Sequence, residues 1–426
     1  MTTVAPSIAD FDPRSPDYYK DPQAAVQGLL RDAPVFYYEP LSAYYVLPYA
    51  EVRTVLADSD TYSSHAYKGV PVRPDLRDRI PEEWERAGHV IQGGQILNMD
   101  PPAHTPQRRA MQRTFTHRRV EAAKADIAAI ADELIDGLID QGSGSCDLMH
   151  DYAAQLTLRS VGRLMDVPSD VLAGFHAWVI DVLGILAPID LKPEDVTTPD
   201  DQLAAIYERV YAAYLTYSQL IEERRGNPGE DLCSAMVTLT DEDGTPSLTN
   251  DQILAHMVGI TAAGTDTTAN LIVNLVRYFT ESPDQLELVL EDPTLWDNAV
   301  LEGLRRAGIS NQLFRISVKE SQLAGVTIPA RSNVALLLPA ANADPAKFPD
   351  PLRFDVRREN AAEHLSLGRG RHFCLGAPLA PPEARIAVES LYRRLPDLKA
   401  ELDQELEFVP SLSVRGIISQ RVTWSV

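Results

Sequence analysis

The stretch from His364 to Glu383 constrains the chain more than any other. It reads HLSLGRGRHFCLGAPLAPPE and places Cys374 among glycines 368, 370 and 376. Glycines permit the tight turns that wrap a thiolate, while backbone amides and a helix N-terminus, expected near Gly376, stabilise its charge. Two interpretations follow. Either Cys374 ligates a metal, or it is an ordinary buried thiol, which is the commoner role of a lone cysteine.

A second constraint is the helical pattern of more than 30 residues from Thr249 to Thr280. Thr249 and Gln252 have the spacing of a capping box, and Ser282-Pro283 ends the pattern. Its middle, residues 262–268, reads AAGTDTT. Glycine costs about 1 kcal/mol relative to alanine there, and threonine and aspartate compete for backbone hydrogen bonds. The sequence therefore predicts either a widened turn beside a flat cofactor or a tolerated kink with Asp266 in solvent.

These two patterns together resemble the cytochrome P450 family, the haem-thiolate monooxygenases. Residues 368–380 follow Gly-x-Gly-x-His-x-Cys-x-Gly-x-x-Leu-Ala, which is similar to the family's haem-binding loop, and Ala-Gly-x-Asp-Thr-Thr resembles its oxygen-activation motif. The resemblance implies haem b with Cys374 as axial ligand, and Asp266 and Thr267 as the acid and alcohol that deliver protons. Leu367 and Pro381 depart from the usual Phe and Arg.

Further motifs acquire roles only through this resemblance. Glu302-x-x-Arg305 alone is typical of a surface pair, but its place before Cys374 implies a buried structural network with Arg353. The resemblance also implies four haem propionate ligands, each of which alone is more often a solvated cation: His104, Arg108, Arg315 and His372. The implied substrate pocket is mostly apolar, with Asn311 as its polar anchor. Its residues are Ile91, Ile96, Gly259, Ala262, Ala263, Asn311, Leu313, Phe314, Ile417 and Ile418.

The fold implied is one mainly α cytochrome P450 domain over residues 1–426, with a smaller β-rich part near 35–50, 313–340 and 405–426. The haem would lie between the long helix and the cysteine loop. Periodicity predicts helices at 17–32, 50–57, 104–141, 147–186 and 201–226, and two strands within 35–47. Residues 58–97 are expected to be irregular. Residues 186–201 are either a lid over the substrate or an ordinary connection.

Charge limits the partners. The net charge of −22 argues against nucleic acid, which requires a basic surface. Arginines nevertheless concentrate in two segments, which predicts docking of a ferredoxin that a ferredoxin reductase supplies; helix solubility is the alternative. These arginines are Arg109, Arg113, Arg118, Arg369 and Arg371, with Arg108 and Arg119 beside them. Three distant cysteines and no apolar span predict a cytoplasmic protein without a membrane segment, expected to be a monomer.

The predicted function is insertion of one oxygen atom from dioxygen into a small, mostly apolar organic molecule, by hydroxylation or O-dealkylation. Two roles remain open: a tailoring reaction on a natural product of secondary metabolism, and the catabolic oxidation of an aromatic or terpenoid compound. Two alternatives remain. A peroxide-driven haem-thiolate peroxygenase is expected to lack the Asp266–Thr267 pair, which this chain has. A non-catalytic haem sensor needs no such pair and usually carries a partner domain.

Overall fold

The computed structural model describes residues 8, 11–65, 80–93, 95–167, 200–395, 397–409 and 411–425. The helices, in chain order, are α1 Pro16–Lys20, α2 Pro22–Ala25, α3 Gln27–Asp32, α4 Tyr49–Ala57, α5 Glu82–Gly93, α6 His104–Thr114, α7 His117–Asp140, α8 Ala154–Met165, α9 Asp200–Gly226, α10 Leu232–Val237, α11 Asn250–Glu281, α12 Pro283–Glu291, α13 Trp296–Ala307, α14 Leu338–Asn342 and α15 Ala380–Arg394. A π-helical turn, Leu148–Ala153, precedes α8.

The described strands form three small sheets. They are β1 Val35–Tyr38, β2 Ala43–Val46, β3 Tyr62–Ser63, β4 Ser145–Asp147, β5 Gln312–Ser317, β6 Ser321–Leu323, β7 Val326–Ile328, β8 Asn333–Leu337, β9 Lys399–Ala400 and β10 Arg421–Thr423. The largest sheet has the order β1-β2-β8-β5-β3, in which only the β2–β8 pair is parallel. The second has the order β4-β10-β9, and β6 pairs with β7. The prediction of a mainly α fold with a smaller β-rich part is confirmed.

The chain forms two compact units. The first comprises Met1–Ser63, Ile127–Leu156 and Thr267–Val426, and it contains all of the described strands. An apolar cluster forms between its five-stranded sheet and helices α4 and α14, and includes Val46, Val52, Leu336 and Phe348. Because apolar residues of β2 and β8 meet those of α4 there, this cluster gives the cysteine loop of the same unit a rigid base.

The second unit comprises Ser64–Asp126 and Thr157–Asp266, and its described part is helical. Helix α9 packs on α5 and α10, and α10 packs on α6. A buried hydrogen bond of 2.5 Å joins the Tyr217 hydroxyl of α9 to Thr261 of α11. Whether the chain is one domain, as predicted, stays a prediction. No helix among the described residues is long and apolar enough to cross a membrane.

Helix α11 has 32 residues and agrees closely with the predicted span. Gln252 N donates to Thr249 Oγ1 at 3.2 Å, and Thr249 N donates to Gln252 Oε1 at 2.9 Å, so the predicted capping box forms. The helix continues without interruption through residues 262–268. The hydroxyls of Thr261 and Thr265 donate to the carbonyls four residues earlier, which satisfies them without a break in the helix.

Two predictions about local structure were inexact, and a third is not tested. Residues 17–32 form three short helices because Pro22 begins a new one, with Asp21 capping it. Residues 58–97 are not wholly irregular, since they contain β3 and the 12-residue helix α5. Of the predicted lid at 186–201, residues 186–199 lie outside the described residues.

Candidate functional site

The cysteine loop is held by glycines in left-handed conformations. Gly368 and Gly370 both have φ of 68°, a region that favours glycine. Cys374 N donates to the Leu367 carbonyl at 2.9 Å, which closes the loop below the half-buried cysteine. Helix α15 begins at Ala380, four residues later than the predicted Gly376, and Pro381 lies in its first turn. The loop therefore presents one thiol on a constrained backbone.

Gly370 is required for a second reason, because the loop lies against α4. A Cβ built there would lie 2.7 Å from the Leu56 carbonyl oxygen and 3.3 Å from Ala57 Cα. We expect Gly370→Ala to lower the free energy of unfolding by about 2–3 kcal/mol, since it adds a backbone clash to a left-handed conformation. Denaturant unfolding measures this loss.

The matched control is Gly142→Ala. Gly142 has φ of 64°, but a Cβ there would meet nothing within 4 Å. Its substitution is expected to lower the free energy of unfolding by about 1 kcal/mol, the cost of placing alanine in a left-handed conformation. Equal losses for the two variants would contradict a role for the contact between Gly370 and α4.

The donors near Cys374 fit haem better than a bare ion. Within the described ranges, no three His, Cys, Asp or Glu side chains form a group that could hold a metal ion. A single thiol fits a metal that carries most of its own ligands, as iron does in a porphyrin. Gly376 lies beside the sulfur, since a Cβ there would lie 3.8 Å from Cys374 Sγ, an ordinary van der Waals contact.

Asp266 and Thr267 are consecutive residues of α11, and both are half-buried. Burial raises the pKa of Asp266 from 3.8 to about 6. A carboxyl with this pKa both takes up and releases a proton near neutral pH. The role of the pair in proton delivery stays a prediction.

The four predicted propionate ligands divide between the units. In the second unit, His104 is buried at the start of α6, and half-buried Arg108 follows one turn later. In the first unit, Arg315 is buried in β5, where its Nη1 donates to the Phe314 carbonyl at 2.8 Å, and His372 is half-buried in the loop. Guanidinium groups and imidazole N–H donors suit anionic carboxylates. All four assignments stay predictions.

The predicted structural network needs one correction. Glu302 accepts from Arg305 Nε at 2.7 Å and from Arg305 Nη2 at 2.8 Å, and both residues are fully buried. Its second partner is Arg358, whose Nε donates to both carboxylate oxygens at 3.0 and 3.1 Å. The prediction of Arg353 was wrong, because its side chain is exposed. Only its carbonyl takes part, accepting from Arg305 and Arg358.

The predicted pocket residues are also distributed over both units. In the second, Ile91 and Ala262 are buried, Ile96 and Gly259 are half-buried, and Ala263 is exposed. In the first, Phe314 and Ile417 are buried, and Ile418 is half-buried. Leu313 packs against the apolar cluster of that unit. Since alternate residues of a strand face opposite sides, Leu313 and Phe314 of β5 point in opposite directions.

Asn311 does not have the free amide that a polar substrate anchor requires. It is fully buried, and its Oδ1 accepts from the Tyr18 hydroxyl at 2.7 Å. Its Nδ2 donates to the Leu412 carbonyl at 3.1 Å. Asn311 therefore ties the N-terminal helices and the C-terminal tail to β5, and the prediction of an anchor there was wrong.

The small residues of α11 take part in packing against neighbouring segments. A Cβ at Gly264 would lie 3.0 Å from Val161 Cγ2 of α8, and one at Gly259 would lie 3.4 Å from Gln95 Cδ. The sequence predicts that Gly264 lies beside a cofactor, and it gives no signal for Gln95. Gln95 belongs to no motif, so only its burial against α11 brings it to notice.

Comparison with known proteins identifies the family. The family model described as Cytochrome P450 matches residues 289–406. The cytochrome P450 monooxygenase PikC of Streptomyces venezuelae is 34% identical over 99% of this chain and 96% of its own. The vitamin D(3) 25-hydroxylase of Pseudonocardia autotrophica is 35% identical over 82% of each. Among solved structures, cytochrome P450 CREJ with (4-ethylphenyl) dihydrogen phosphate has a TM-score of 0.86 at 27% identity, covering 97% of this chain and 98% of that one.

Three independent results thus agree: the constrained cysteine loop, the acid and alcohol of α11, and relatives that match nearly the whole chain. The cofactor class that these relatives imply, haem-thiolate, fits a site with a single thiol donor. This chain belongs to the cytochrome P450 family and is a haem-thiolate monooxygenase.

Proposed function

We propose that this monooxygenase inserts one oxygen atom from dioxygen into a small, mostly apolar secondary metabolite. The reaction is hydroxylation or O-dealkylation, and electrons come from a ferredoxin-type partner. The observation that supports this most is Asp266, whose pKa burial raises to about 6, immediately before Thr267 in α11. An acid and an alcohol in this order are needed for dioxygen chemistry, whereas peroxide already carries its protons.

In this proposal Cys374 holds haem b by its thiolate, and His104, Arg108, Arg315 and His372 hold the propionates. When bound, haem supplies the redox chemistry that activates dioxygen. The chain contributes the geometry: glycines 368 and 370 fix the loop, and the α4 backbone limits its movement. A loop fixed in this way keeps the thiolate in place without a second protein ligand.

The proton path begins at Asp266. In this proposal the Asp266 carboxyl would exchange protons with solvent, and the Thr267 hydroxyl would donate a hydrogen bond into the proposed oxygen-binding site. The proposal is supported by the continuity of α11 through these residues, which fixes the backbone positions of the acid and the alcohol.

The substrate class is supported by the chain and its relatives together. Gly259, Ala262 and Ala263 give α11 little side-chain volume on the face assigned to the pocket, so a bulky apolar molecule fits there. The names of two relatives, vitamin D(3) 25-hydroxylase and 6-deoxyerythronolide B hydroxylase, indicate hydroxylation in those proteins. By analogy we propose hydroxylation as the main reaction here.

The test combines a spectrum with isotope labelling. The reduced protein with carbon monoxide should absorb at the Soret position specific to a thiolate ligand. With a ferredoxin, its reductase and NADH, the product formed under ¹⁸O₂ should contain one ¹⁸O atom. Turnover with hydrogen peroxide but none with the ferredoxin system would instead establish the peroxygenase alternative, and haem binding with neither activity would establish the sensor.

The ferredoxin surface can be tested at two residues. Arg109 and Arg113 are exposed and one turn apart on α6, whereas Arg118 and Arg119 interact with Glu230. We expect Arg109→Glu with Arg113→Glu to slow electron transfer about tenfold at low ionic strength, because steering of an acidic partner is lost. Stopped-flow reduction under carbon monoxide measures the rate, and substrate affinity should not change.

The matched control is the double variant Lys399→Glu with Arg421→Glu, which makes the same change of charge on exposed residues of β9 and β10. Its electron-transfer rate should stay near that of the parent. Equal slowing in both double variants would mean that net charge matters rather than a surface on α6. Arg369, half-buried, and Arg371, exposed, belong to the other predicted segment.

Two finer points complete the proposal. All three cysteines lie in the described residues and form no disulfide, which suits a reducing compartment, and we keep the cytoplasm as the proposed location. We also keep a monomer as the proposed state. Size-exclusion chromatography with light scattering tests the second point.

A further inference from the structure

One face of α11 changes steadily from buried to open. His256, Gly259 and Ala263 are spaced i, i+3 and i+7, so they lie along the same side of the helix. His256 is only 3% exposed, Gly259 is half-buried, and Ala263 is exposed. The face therefore leads from an open end at Ala263 to a closed end at His256.

Gln95 covers the middle of this face. A Cβ built on Gly259 would lie 3.4 Å from Gln95 Cδ and 3.6 Å from its Oε1. The amide of Gln95, 9% exposed, thus lies within van der Waals distance of α11 at position 259. His256 precedes Gly259 by three residues, about 4.5 Å along the helix axis, so its imidazole lies next along the same face.

Within the part of the chain that the structure describes, neither Gln95 Nε2 nor His256 Nε2 has a hydrogen-bond partner. Buried polar groups are nearly always paired in native proteins, and one that is not calls for an explanation such as a missing ligand. One of these atoms belongs to the helix face and the other lies against it, so a single ligand at this face accounts for both.

We propose that the Gln95 amide and the His256 imidazole bind an uncharged oxygen of the substrate, either a hydroxyl or a carbonyl. This rests on the proposed function and narrows its substrate to an apolar molecule that already carries a neutral oxygen. Gln95 Nε2 donates a hydrogen bond to that oxygen. His256 Nε2 accepts from a hydroxyl or, as the other tautomer, donates to a carbonyl.

Charged groups fit this position poorly. Burial lowers the pKa of His256 to about 4, so the ring is neutral at physiological pH and cannot balance a carboxylate. A neutral amide cannot balance an ammonium group either. Because transfer of an unpaired charge to a buried site is costly, the pair selects uncharged oxygen functions.

The test uses two matched series of probes. One is phenylcyclohexane, 4-phenylcyclohexanol and 4-phenylcyclohexanone, and the other is 5α-androstane and 5α-androstan-17-one. Binding to the holoenzyme is followed by calorimetry and by the spin-state shift. Gln95→Met and His256→Leu should each reduce the affinity for oxygenated probes about tenfold relative to the hydrocarbon. The reason is that a site that hydrogen-bonds an oxygen distinguishes oxygenated molecules from hydrocarbons through that bond. His256→Gln, which keeps an N–H donor, should preserve the preference for ketones.

A second readout is stability without ligand. If the two atoms are hydrogen-bonded only when a ligand is present, Gln95→Met and His256→Leu remove unsatisfied buried groups from the ligand-free protein. The melting temperature of each variant should then equal or exceed that of the parent. His364 is the matched control, since it is 6% exposed and its Nδ1 accepts from Ser366 N at 3.1 Å. His364→Leu should lower the melting temperature, because it leaves that N–H without its acceptor.

A control for glutamine is Gln107, 6% exposed on α6, whose Oε1 has no partner among the described residues. Gln107→Met should leave the preference for oxygenated probes unchanged.

Three results would overturn the proposal: melting temperatures that fall in both the Gln95 and the His256 variants, an unchanged affinity ratio, or no binding by any probe. Loss of dioxygen-dependent turnover with the binding preference intact would refute only the proposed function.

Discussion

Replacing Arg358 with alanine is expected to lower the free energy of unfolding by about 3–5 kcal/mol. Glu302 is fully buried, and Arg358 Nε donates to both of its oxygens at 3.0 and 3.1 Å. Without Arg358, the buried carboxylate of Glu302 has only one guanidinium partner, that of Arg305, instead of two. The carbonyls of Pro349 and Asp350 would also lose their donors, which now lie at 2.7 and 3.0 Å.

The control is the nearby Arg353→Ala. Arg353 contributes its backbone carbonyl to the network, and alanine keeps that carbonyl. We therefore expect a change of no more than about 0.5 kcal/mol, as for most exposed positions. Urea unfolding of both variants measures the difference. A larger loss for Arg353→Ala than for Arg358→Ala would contradict the assignment of the network to Arg358.

The elements that the sequence predicted best are those with local signals at both ends. For α11 the capping box at Thr249 and the proline at 283 define the limits, and both act within a few residues. The turn between β1 and β2 is similar, since Pro40 and a left-handed Ser42 lie between two aromatic strands. The cysteine loop has its glycines at fixed offsets, so its left-handed turns follow from the sequence as well.

What the sequence missed depends on the path of the chain in space. By their spacing in the sequence, Arg353 and Arg358 are equally plausible partners for Glu302. Which of them reaches it depends on a turn in which Asp350 has φ of 47° and Arg358 donates to the Asp350 carbonyl. Asn311 seemed available to a substrate because its partners, Tyr18 and Leu412, are 293 and 101 residues away. Long-range contacts of this kind leave no local pattern.

The second prediction concerns Asp266, and its expected effect on activity is the largest. Asp266→Asn should lower the rate of dioxygen-dependent turnover about 10²–10⁴-fold, the usual contribution of a general acid. Asparagine has nearly the same shape but cannot pass on a proton, so substrate affinity should hardly change. The control is Asp251→Asn in the first turn of the same helix, where the carboxylate is exposed. Its turnover should match that of the parent.

The pH dependence of stability provides an independent check on the same carboxyl. Burial raises the pKa of Asp266 in the folded protein to about 6, above the ordinary 3.8. Between these two values the folded state binds a proton that the unfolded state releases, so this group's contribution to stability falls as pH rises from about 4 to about 6 and is constant above. Asp266→Asn should remove that part of the slope, and Asp251→Asn should not. Urea unfolding across this range measures the slopes, and identical slopes for the parent and Asp266→Asn would refute a raised pKa of this carboxyl in the folded protein.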